Sequence, residues 1–193
     1  MPNLTAFLSF MVVMTFTPGP NNIMSLSNAS RYGFIKSIRF NIGVFAGFFV
    51  VIGFCSIFSL TLLGLLPSIK SVITPIGALY ILWLAWKTYG SSIHEADESG
   101  RTNTFLSGFF LQFVNPKVIL YGIAIVSTFI LPYYKAPLSL LLFSGFLAAV
   151  GFVATCTWAL FGSIFKHYLM KGQKKVNIIL SLLLVYCAVS LFF

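Results

Sequence analysis

Phe16-Thr-Pro-Gly-Pro-Asn-Asn22 interrupts the first long apolar segment of the chain and cannot form a continuous α-helix. A proline has no N–H to donate, and its ring clashes with the carbonyl four residues earlier. Pro18 therefore frees the carbonyl of Met14, and Pro20 frees that of Phe16. Because buried carbonyls need hydrogen-bond partners, we expect one helix to end here and another to begin within the same apolar segment.

A second stretch, Gln112-Phe-Val-Asn-Pro-Lys117, repeats the interruption later in the chain. Shifting the sequence by 98 positions lays Pro18 onto Pro116 and Phe7-Leu8-Ser9 onto Phe105-Leu106-Ser107. The same shift matches three glycines of the first half with three of the second: Gly47, Gly53 and Gly64 with Gly145, Gly151 and Gly162. With only 15 glycines in 193 residues, these matches indicate a duplicated sequence. Duplicated halves that each open with a broken apolar helix are typical of secondary transporters.

The composition is that of an integral membrane protein. Hydrophobic residues make up 59% of the chain and charged residues 8%, whereas about a quarter of a soluble domain is charged. A net charge of +9 would suggest nucleic acid in a soluble protein, but we attribute it to basic loops on one side of the membrane and expect no nucleic-acid partner. The start, Met1-Pro2-Asn3-Leu4, lacks the basic region of a signal peptide, so we expect the first span to be retained.

Six apolar segments reach or approach the ~20 helical residues that cross a bilayer core of ~30 Å. They cover residues 4–30, 40–66, 71–89, 104–131, 137–165 and 176–193. The sequence thus predicts an all-α membrane fold with six transmembrane helices, of which the first and fourth are broken by proline. All belong to one transporter domain, residues 1–193, with repeat 1 at about 1–90, a solvated loop at 91–103 and repeat 2 at about 104–193.

The basic residues predict the orientation. Nine of them fall on one side of the six segments: Arg31, Lys36, Arg39, Lys87, Arg101, Lys166, Lys171, Lys174 and Lys175. Only Lys70 and Lys135 fall on the other side. Since cytoplasmic loops carry the excess of Lys and Arg, the nine-residue side is predicted to be cytoplasmic and both termini periplasmic. With three spans in each half, the second half crosses the membrane in the opposite direction, which makes a 3+3 inverted repeat.

The two breaks offer complementary backbone groups to a small zwitterion. Freed carbonyls before a break form a partly negative pocket for an ammonium group, and free N–H groups at Asn21, Asn22 and Ile23 favour a carboxylate. The candidate substrate-binding and translocation residues are Thr17, Pro18, Gly19, Pro20, Asn21, Asn22, Gln112, Asn115, Pro116, Lys117 and Tyr121. The alternative is a purely structural kink, because membrane helices tolerate proline.

Lys117 is the only charged residue buried in a predicted span, and the three acidic residues of the chain all lie in the loop 91–103. A lysine at this depth is expected to face the protein interior and to contact a partner. With no carboxylate in the spans, the candidate partners are a substrate carboxylate, backbone carbonyls near Thr17 and Pro18, or water. A lysine that loses its proton inside the membrane is also a candidate proton carrier for antiport.

Other residues carry weaker signals. Four polar or aromatic residues could line a cavity or equally serve in packing: Trp158, Asn177, Ser181 and Tyr186. Three cysteines without a CxxC pair indicate neither a disulfide framework nor a zinc site, and we expect no catalytic residue, metal or cofactor. A transmembrane thiol-redox carrier is the rival from another class, but it needs a reactive cysteine in each half, and Cys55 maps onto Val153 under the repeat. A passive channel is the third alternative.

These motifs resemble the LysE/RhtB superfamily of amino-acid exporters over essentially the whole chain. Its hallmarks are a Thr-Pro-Gly-Pro element, here Thr17–Pro20, and an Asn-Pro-Lys element, here Asn115–Lys117. Within that superfamily, Leu111-Gln-Phe-Val-Asn115, Ile119-Leu-Tyr-Gly122 and residues 177–189 most resemble the cysteine/O-acetylserine exporters. The resemblance implies proton-driven antiport from the cytoplasm to the periplasm across the bacterial inner membrane.

One departure from the superfamily pattern narrows the substrate. Many relatives, including exporters of basic amino acids, carry an acidic residue directly after the glycine that matches Gly47, where this chain has Phe48. Loss of that carboxylate argues against a dicationic substrate and weakens any coupling scheme that uses it. We therefore predict secondary-active export of small neutral amino acids, cysteine and O-acetylserine first, with homoserine, threonine or leucine-type substrates as the alternative. The sequence leaves open whether copies of the chain form a homo-oligomer.

Overall fold

The computed structural model describes residues 4–90, 102–166 and 172–189, and for residues 59–74 and 173 it describes the backbone alone. Within these ranges the chain is helical and contains no strand, which confirms the predicted all-α fold. The helices are α1 Leu4–Phe16, α2 Pro20–Tyr32, α3 Phe34–Tyr89, α4 Phe105–Val114, α5 Pro116–Ile125, a π-helical segment Val126–Ile130, α6 Pro137–Ile164 and α7 Gln173–Val189. Most of the predicted loop 91–103 and the end of the predicted sixth span lie outside the described residues.

Two described segments are long and apolar enough to cross a membrane by themselves. These are the first part of α3, Phe34–Phe58, with a mean hydropathy of 2.2, and α6, with 2.1. A third candidate is the pair formed by α4 and the segment Pro116–Ile130, which together pass the same test but are bent by 64° at their junction. The chain is therefore a helical membrane protein, while the six-span inverted repeat and its single domain remain predictions.

Helix α3, Phe34–Tyr89, covers both the second and the third predicted span, which we expected as two separate segments. A straight helix would place Phe40 and Tyr80 about 60 Å apart. Both residues nevertheless line one small cavity together with Leu84 and Leu111. The two ends of α3 therefore lie side by side, and the chain reverses its direction between them, as two spans require.

Glycines bring α3 and α4 into backbone contact. A Cβ atom added at Gly43 would clash with the carbonyl of Phe105, and one added at Gly108 would clash with the carbonyl of Phe40. A Cβ atom added at Gly47 of α3 would clash with the carbonyl of Phe109 in α4. These contacts fix α4 of the second half against the first half of the chain.

Candidate functional site

The first break separates α1 from α2, as the prolines predict. Helix α1 ends at Phe16, α2 begins at Pro20, and Gly19 precedes it in an extended conformation with φ −171°. The second break is shorter, because α4 ends at Val114 and α5 begins at Pro116. Both second helices thus start with proline, a position where the missing N–H costs no helical bond. By its position at a helix start, Pro20 is the counterpart of Pro116. The repeat alignment instead predicts Pro18, two residues earlier, as that counterpart.

Protein groups cover the carbonyls at the end of α1. Trp158 of α6 donates its indole N–H to the carbonyl of Phe16 at 3.1 Å, which is the carbonyl that Pro20 leaves without a helical donor. The Asn22 amide donates to the carbonyls of Thr15 and Thr17, at 2.9 Å each. Donors from neighbouring helices therefore replace the bonds lost at the break, as the membrane interior demands.

Lys117 occupies the remaining part of this carbonyl pocket. Its ammonium donates to the Thr17 hydroxyl at 2.9 Å, to the Thr17 carbonyl at 3.3 Å and to the Pro18 carbonyl at 3.4 Å. The sequence left three candidate partners for Lys117: a substrate carboxylate, backbone carbonyls or water. In the structure the ammonium contacts the backbone carbonyls. The pocket that we expected to suit a substrate ammonium thus holds the ammonium of the protein itself. The side chain passes over Gly19, where an added Cβ would lie 3.1 Å from the lysine nitrogen.

The N-termini of the two second helices differ. No side chain caps α2, because its N-cap residue is Gly19. In α5 the side chain of Asn115 accepts the N–H of Lys117 at 3.2 Å. The expectation of a free N–H at Ile23 is wrong, since that group donates to the Gly19 carbonyl at 2.9 Å. The first-turn groups left in α2 are those of Asn21 and Asn22, and they form the more open end for an anion.

A cluster of side-chain amides joins the two broken helices. The amides of Asn21 and Gln112 exchange two hydrogen bonds, at 2.8 and 3.1 Å. Asn115 also donates to the Asn21 oxygen, at 3.3 Å. Gln112 and Asn115 are only 0% and 1% exposed, so these amides depend on one another for hydrogen bonding. The structure thereby brings together three of the candidate residues, Asn21 from the first half of the chain and Gln112 and Asn115 from the second.

A cavity of about 40 Å³ lies between these groups. It is lined by Met14, Thr15, Gly19, Pro20, Asn21, Asn22, Val44, Phe48, Asn115, Lys117, Val118, Tyr121, Gly151 and Thr155. Since one water needs about 10–15 Å³ by this kind of measure, the cavity has room for water, and a whole amino acid requires it to widen. Among the described residues that line it, Lys117 alone carries a charge.

Two aromatic residues close one wall of the cavity. Tyr121 is 4% exposed, and its hydroxyl lies beside Thr15 without a partner at hydrogen-bonding geometry among the described residues. Its ring stacks on Phe10, at a centroid distance of 5.8 Å, and contacts Phe48 at 5.9 Å. Phe48 therefore sits where an acidic side chain at the same position would face the cavity.

The sequence analysis missed part of the polar surroundings. Asn41 is completely buried; its side-chain oxygen lies 2.8 Å from the Ser25 hydroxyl, and its amide donates to the sulfur of Cys156 at 3.6 Å. The Ser25 hydroxyl is also 2.8 Å from the carbonyl of Asn21. Their only sequence signal is that they are polar residues within apolar segments, a signal that Thr155 shares.

The weaker candidates have different environments. Trp158 supports the first break, as described above. Asn177 accepts a hydrogen bond from Arg31 at 3.4 Å, and Ser181 donates to the carbonyl of Ala85 at 3.0 Å, so both tie α7 to other helices. Tyr186 is 70% exposed. None of the three lines the cavity between the breaks as described.

Comparison with known proteins identifies the family. A family model described as LysE type translocator matches residues 12–193. The chain belongs to the LysE type translocator family. Proteins named cysteine/O-acetylserine efflux protein are similar to this translocator: that of Salmonella typhimurium strain LT2 is 43% identical over 192 residues, covering 98% of this chain and 97% of the relative. That of Escherichia coli strain K12 is 40% identical over 190 residues with the same coverage. No solved structure matches the chain.

Membership confirms the superfamily resemblance read from the two proline motifs. Proteins of this family are transporters, so the translocator is not an enzyme. The efflux-protein relatives and the apolar helices together make it a membrane protein of amino-acid efflux.

Proposed function

We propose that this translocator exports small neutral amino acids, foremost cysteine and O-acetylserine, from the cytoplasm to the periplasm by proton-coupled antiport. The observation that carries the proposal is the cavity between the two helix breaks, whose described lining residues contribute one ammonium group and no carboxylate. Relatives named for efflux of cysteine and O-acetylserine support the choice of substrate. The candidate residues Thr17 through Asn22, Gln112, Asn115, Pro116, Lys117 and Tyr121 form the proposed binding site.

The charges around the cavity favour a neutral zwitterion over a dication. A substrate with two positive charges and one negative charge would meet the fixed ammonium of Lys117 with no acid to offset it. A neutral amino acid brings a carboxylate for Lys117 and for the open start of α2. The small cavity and the ring of Phe48 favour a short side chain.

We also propose that the chain crosses the bacterial inner membrane six times, as a 3+3 inverted repeat with both termini in the periplasm. Contacts between helix ends support this topology. Arg31 at the end of α2 donates to the carbonyl of Thr88 near the end of α3, at 3.4 Å, and Lys166 after α6 donates to the Arg31 carbonyl at 3.2 Å. Asn103 before α4 donates to the Lys36 carbonyl near the start of α3, at 3.0 Å. Basic helix ends from both halves thus meet on one face, the expected cytoplasmic one.

Counterflow in proteoliposomes tests the function. Vesicles loaded with unlabelled cysteine or O-acetylserine should accumulate the labelled compound, and an imposed pH gradient should change the rate. Homoserine, threonine, leucine and lysine serve as competitors. Preferential exchange of homoserine, threonine or leucine would favour the alternative substrates. Proton-independent, non-saturable flux would contradict the proposal and point to a channel.

A version with all three cysteines replaced tests the rival redox function. The three cysteines all lie within the described residues and form no disulfide, and Cys55 is buried. A secondary transporter should keep its amino-acid exchange after Cys55→Ala, Cys156→Ser and Cys187→Ser are combined. Loss of exchange in protein that still folds would support a thiol-based mechanism.

A further inference from the structure

The contacts of Lys117 have the chemistry of a substrate-binding site. Three oxygens, two from Thr17 and one from Pro18, surround the lysine nitrogen at 2.9 to 3.4 Å. A primary ammonium has three donors, and each donor here has an acceptor. The ammonium of an amino acid presents the same three donors. We call these three oxygens the ammonium cradle.

The cradle is within reach of a ligand. Thr17 and Pro18 are exposed, and Lys117 is half-buried, whereas Gln112 and Asn115 of the neighbouring amide cluster are buried. Lysine reaches the cradle through a flexible stem of four carbons, so the ammonium can move away without moving the helix that carries it. Gly19 leaves the space over which that stem lies.

A site for a carboxylate adjoins the cradle. Gly19 is at once the uncapped start of α2 and the residue beneath the lysine nitrogen. An anion at the N–H groups of Asn21 and Asn22 would therefore lie beside a displaced Lys117 ammonium. The buried Tyr121 side chain lines the same cavity, and its hydroxyl has no hydrogen-bond partner among the described residues. It is available to the ligand in addition to the N–H groups of α2 and the Lys117 ammonium.

We infer that the ammonium of Lys117 and the ammonium of a transported amino acid compete for the cradle, so that binding exchanges one for the other. The displaced lysine then pairs with the carboxylate of the same molecule. Only the identity of the ligand rests on the proposed function; the competition itself is a property of Lys117, Thr17 and Pro18. Lys117 is thus a specificity-determining residue: it requires a ligand with both an ammonium and a carboxylate, since a lone carboxylate cannot occupy the cradle that Lys117 leaves.

Replacing the lysine by a neutral side chain of similar length tests the competition directly. Lys117→Met keeps the stem but removes the competing ammonium. We expect methylammonium to stabilise this variant against heat in detergent, with a half-saturating concentration roughly tenfold lower than for the wild type. Tetramethylammonium has the charge but no N–H donor, and it should not stabilise either protein.

Two further variants make the test specific. Thr17→Val removes the closest oxygen of the cradle, and in combination with Lys117→Met it should abolish most of the gain in methylammonium binding. The matched control is Lys135→Met, the same change at an exposed lysine outside the cavity between the breaks, which should respond to methylammonium like the wild type. If Lys117→Met does not fold, Lys117→Gln provides the same loss of charge.

The outcomes separate this inference from the proposed function. Equal stabilisation of wild type and Lys117→Met by methylammonium, or none of either, would overturn the competition, even if wild-type vesicles exchange cysteine. Tight methylammonium binding by Lys117→Met that depends on Thr17 would support it, even if neither cysteine nor O-acetylserine is exchanged.

Discussion

Trp158 donates its indole N–H to the carbonyl of Phe16, 142 positions earlier in the chain, at 3.1 Å. That carbonyl has no helical donor, because Pro20 occupies the position from which its partner would come. A residue of the second half thus stabilises the broken helix of the first half. The same holds for Lys117 and the carbonyls of Thr17 and Pro18. The first break is therefore a joint product of the two halves.

We predict that Trp158→Phe lowers the free energy of unfolding by about 1–3 kcal/mol, because it leaves a backbone carbonyl unpaired inside the membrane. Thermal unfolding of the purified protein in detergent measures the effect. Trp86→Phe is the matched control, since Trp86 is 76% exposed and should tolerate the change. Equal stability of the two variants would show that the Phe16 carbonyl finds another donor.

The amide cluster should be essential for transport. Asn21→Ala removes the partner of both Gln112 and Asn115, and we expect exchange in proteoliposomes to fall roughly tenfold or more while the protein still folds. Asn28→Ala is the same change on the same helix, at a residue that bonds the Thr102 carbonyl instead. It should leave exchange close to the wild-type rate. Unchanged exchange in Asn21→Ala would remove the cluster from the proposed site.

Position 48 should control the charge of the substrate. Phe48→Glu places a carboxylate in the cavity that contains Lys117, so we expect lysine to begin to compete with cysteine in counterflow. Phe48→Leu separates the effect of charge from that of size and should not admit lysine. If lysine does not compete with cysteine in the Phe48→Glu variant, the side chain at position 48 does not face the bound substrate.

The glycine contact between α3 and α4 should tolerate no side chain. Gly108→Ala forces a Cβ into the backbone of Phe40 and Val44, and overpacking of this kind costs about 1–3 kcal/mol. Gly53→Ala adds the same methyl group where no atom lies within 4 Å, so it should be neutral. Comparison of their melting temperatures tests the contact, and a stable Gly108→Ala protein would contradict it.

Much of the architecture follows from local sequence. Pro20 and Pro116 have no N–H to donate to the carbonyl four residues earlier, so an interruption at each position is predictable without knowledge of the partners. The free N–H predicted at Ile23 was wrong because Pro20 is the first helical residue and Gly19 its N-cap. The Ile23 N–H is then the first that can reach a carbonyl four residues earlier, that of Gly19.

Contacts between distant residues were beyond local reasoning. The sequence places a lone lysine in an apolar span and requires a partner for it, but carbonyl, carboxylate and water all satisfy that requirement. Similarly, the buried pair of Ser25 and Asn41 shows no local pattern apart from its polarity.

The sequence by itself determined a helical membrane protein with two proline breaks, one lysine within an apolar segment and no acid in the apolar segments. These properties follow from composition and from the covalent chemistry of proline, which act at each position independently of the rest of the chain. Only the tertiary structure decided that the Lys117 ammonium donates to the carbonyls of Thr17 and Pro18. The same holds for the hydrogen bond from the Trp158 indole N–H to the Phe16 carbonyl. Packing of the two halves selects one partner among several of equal local chemistry, because a buried polar group bonds whichever complementary group the fold brings within 3 Å or so.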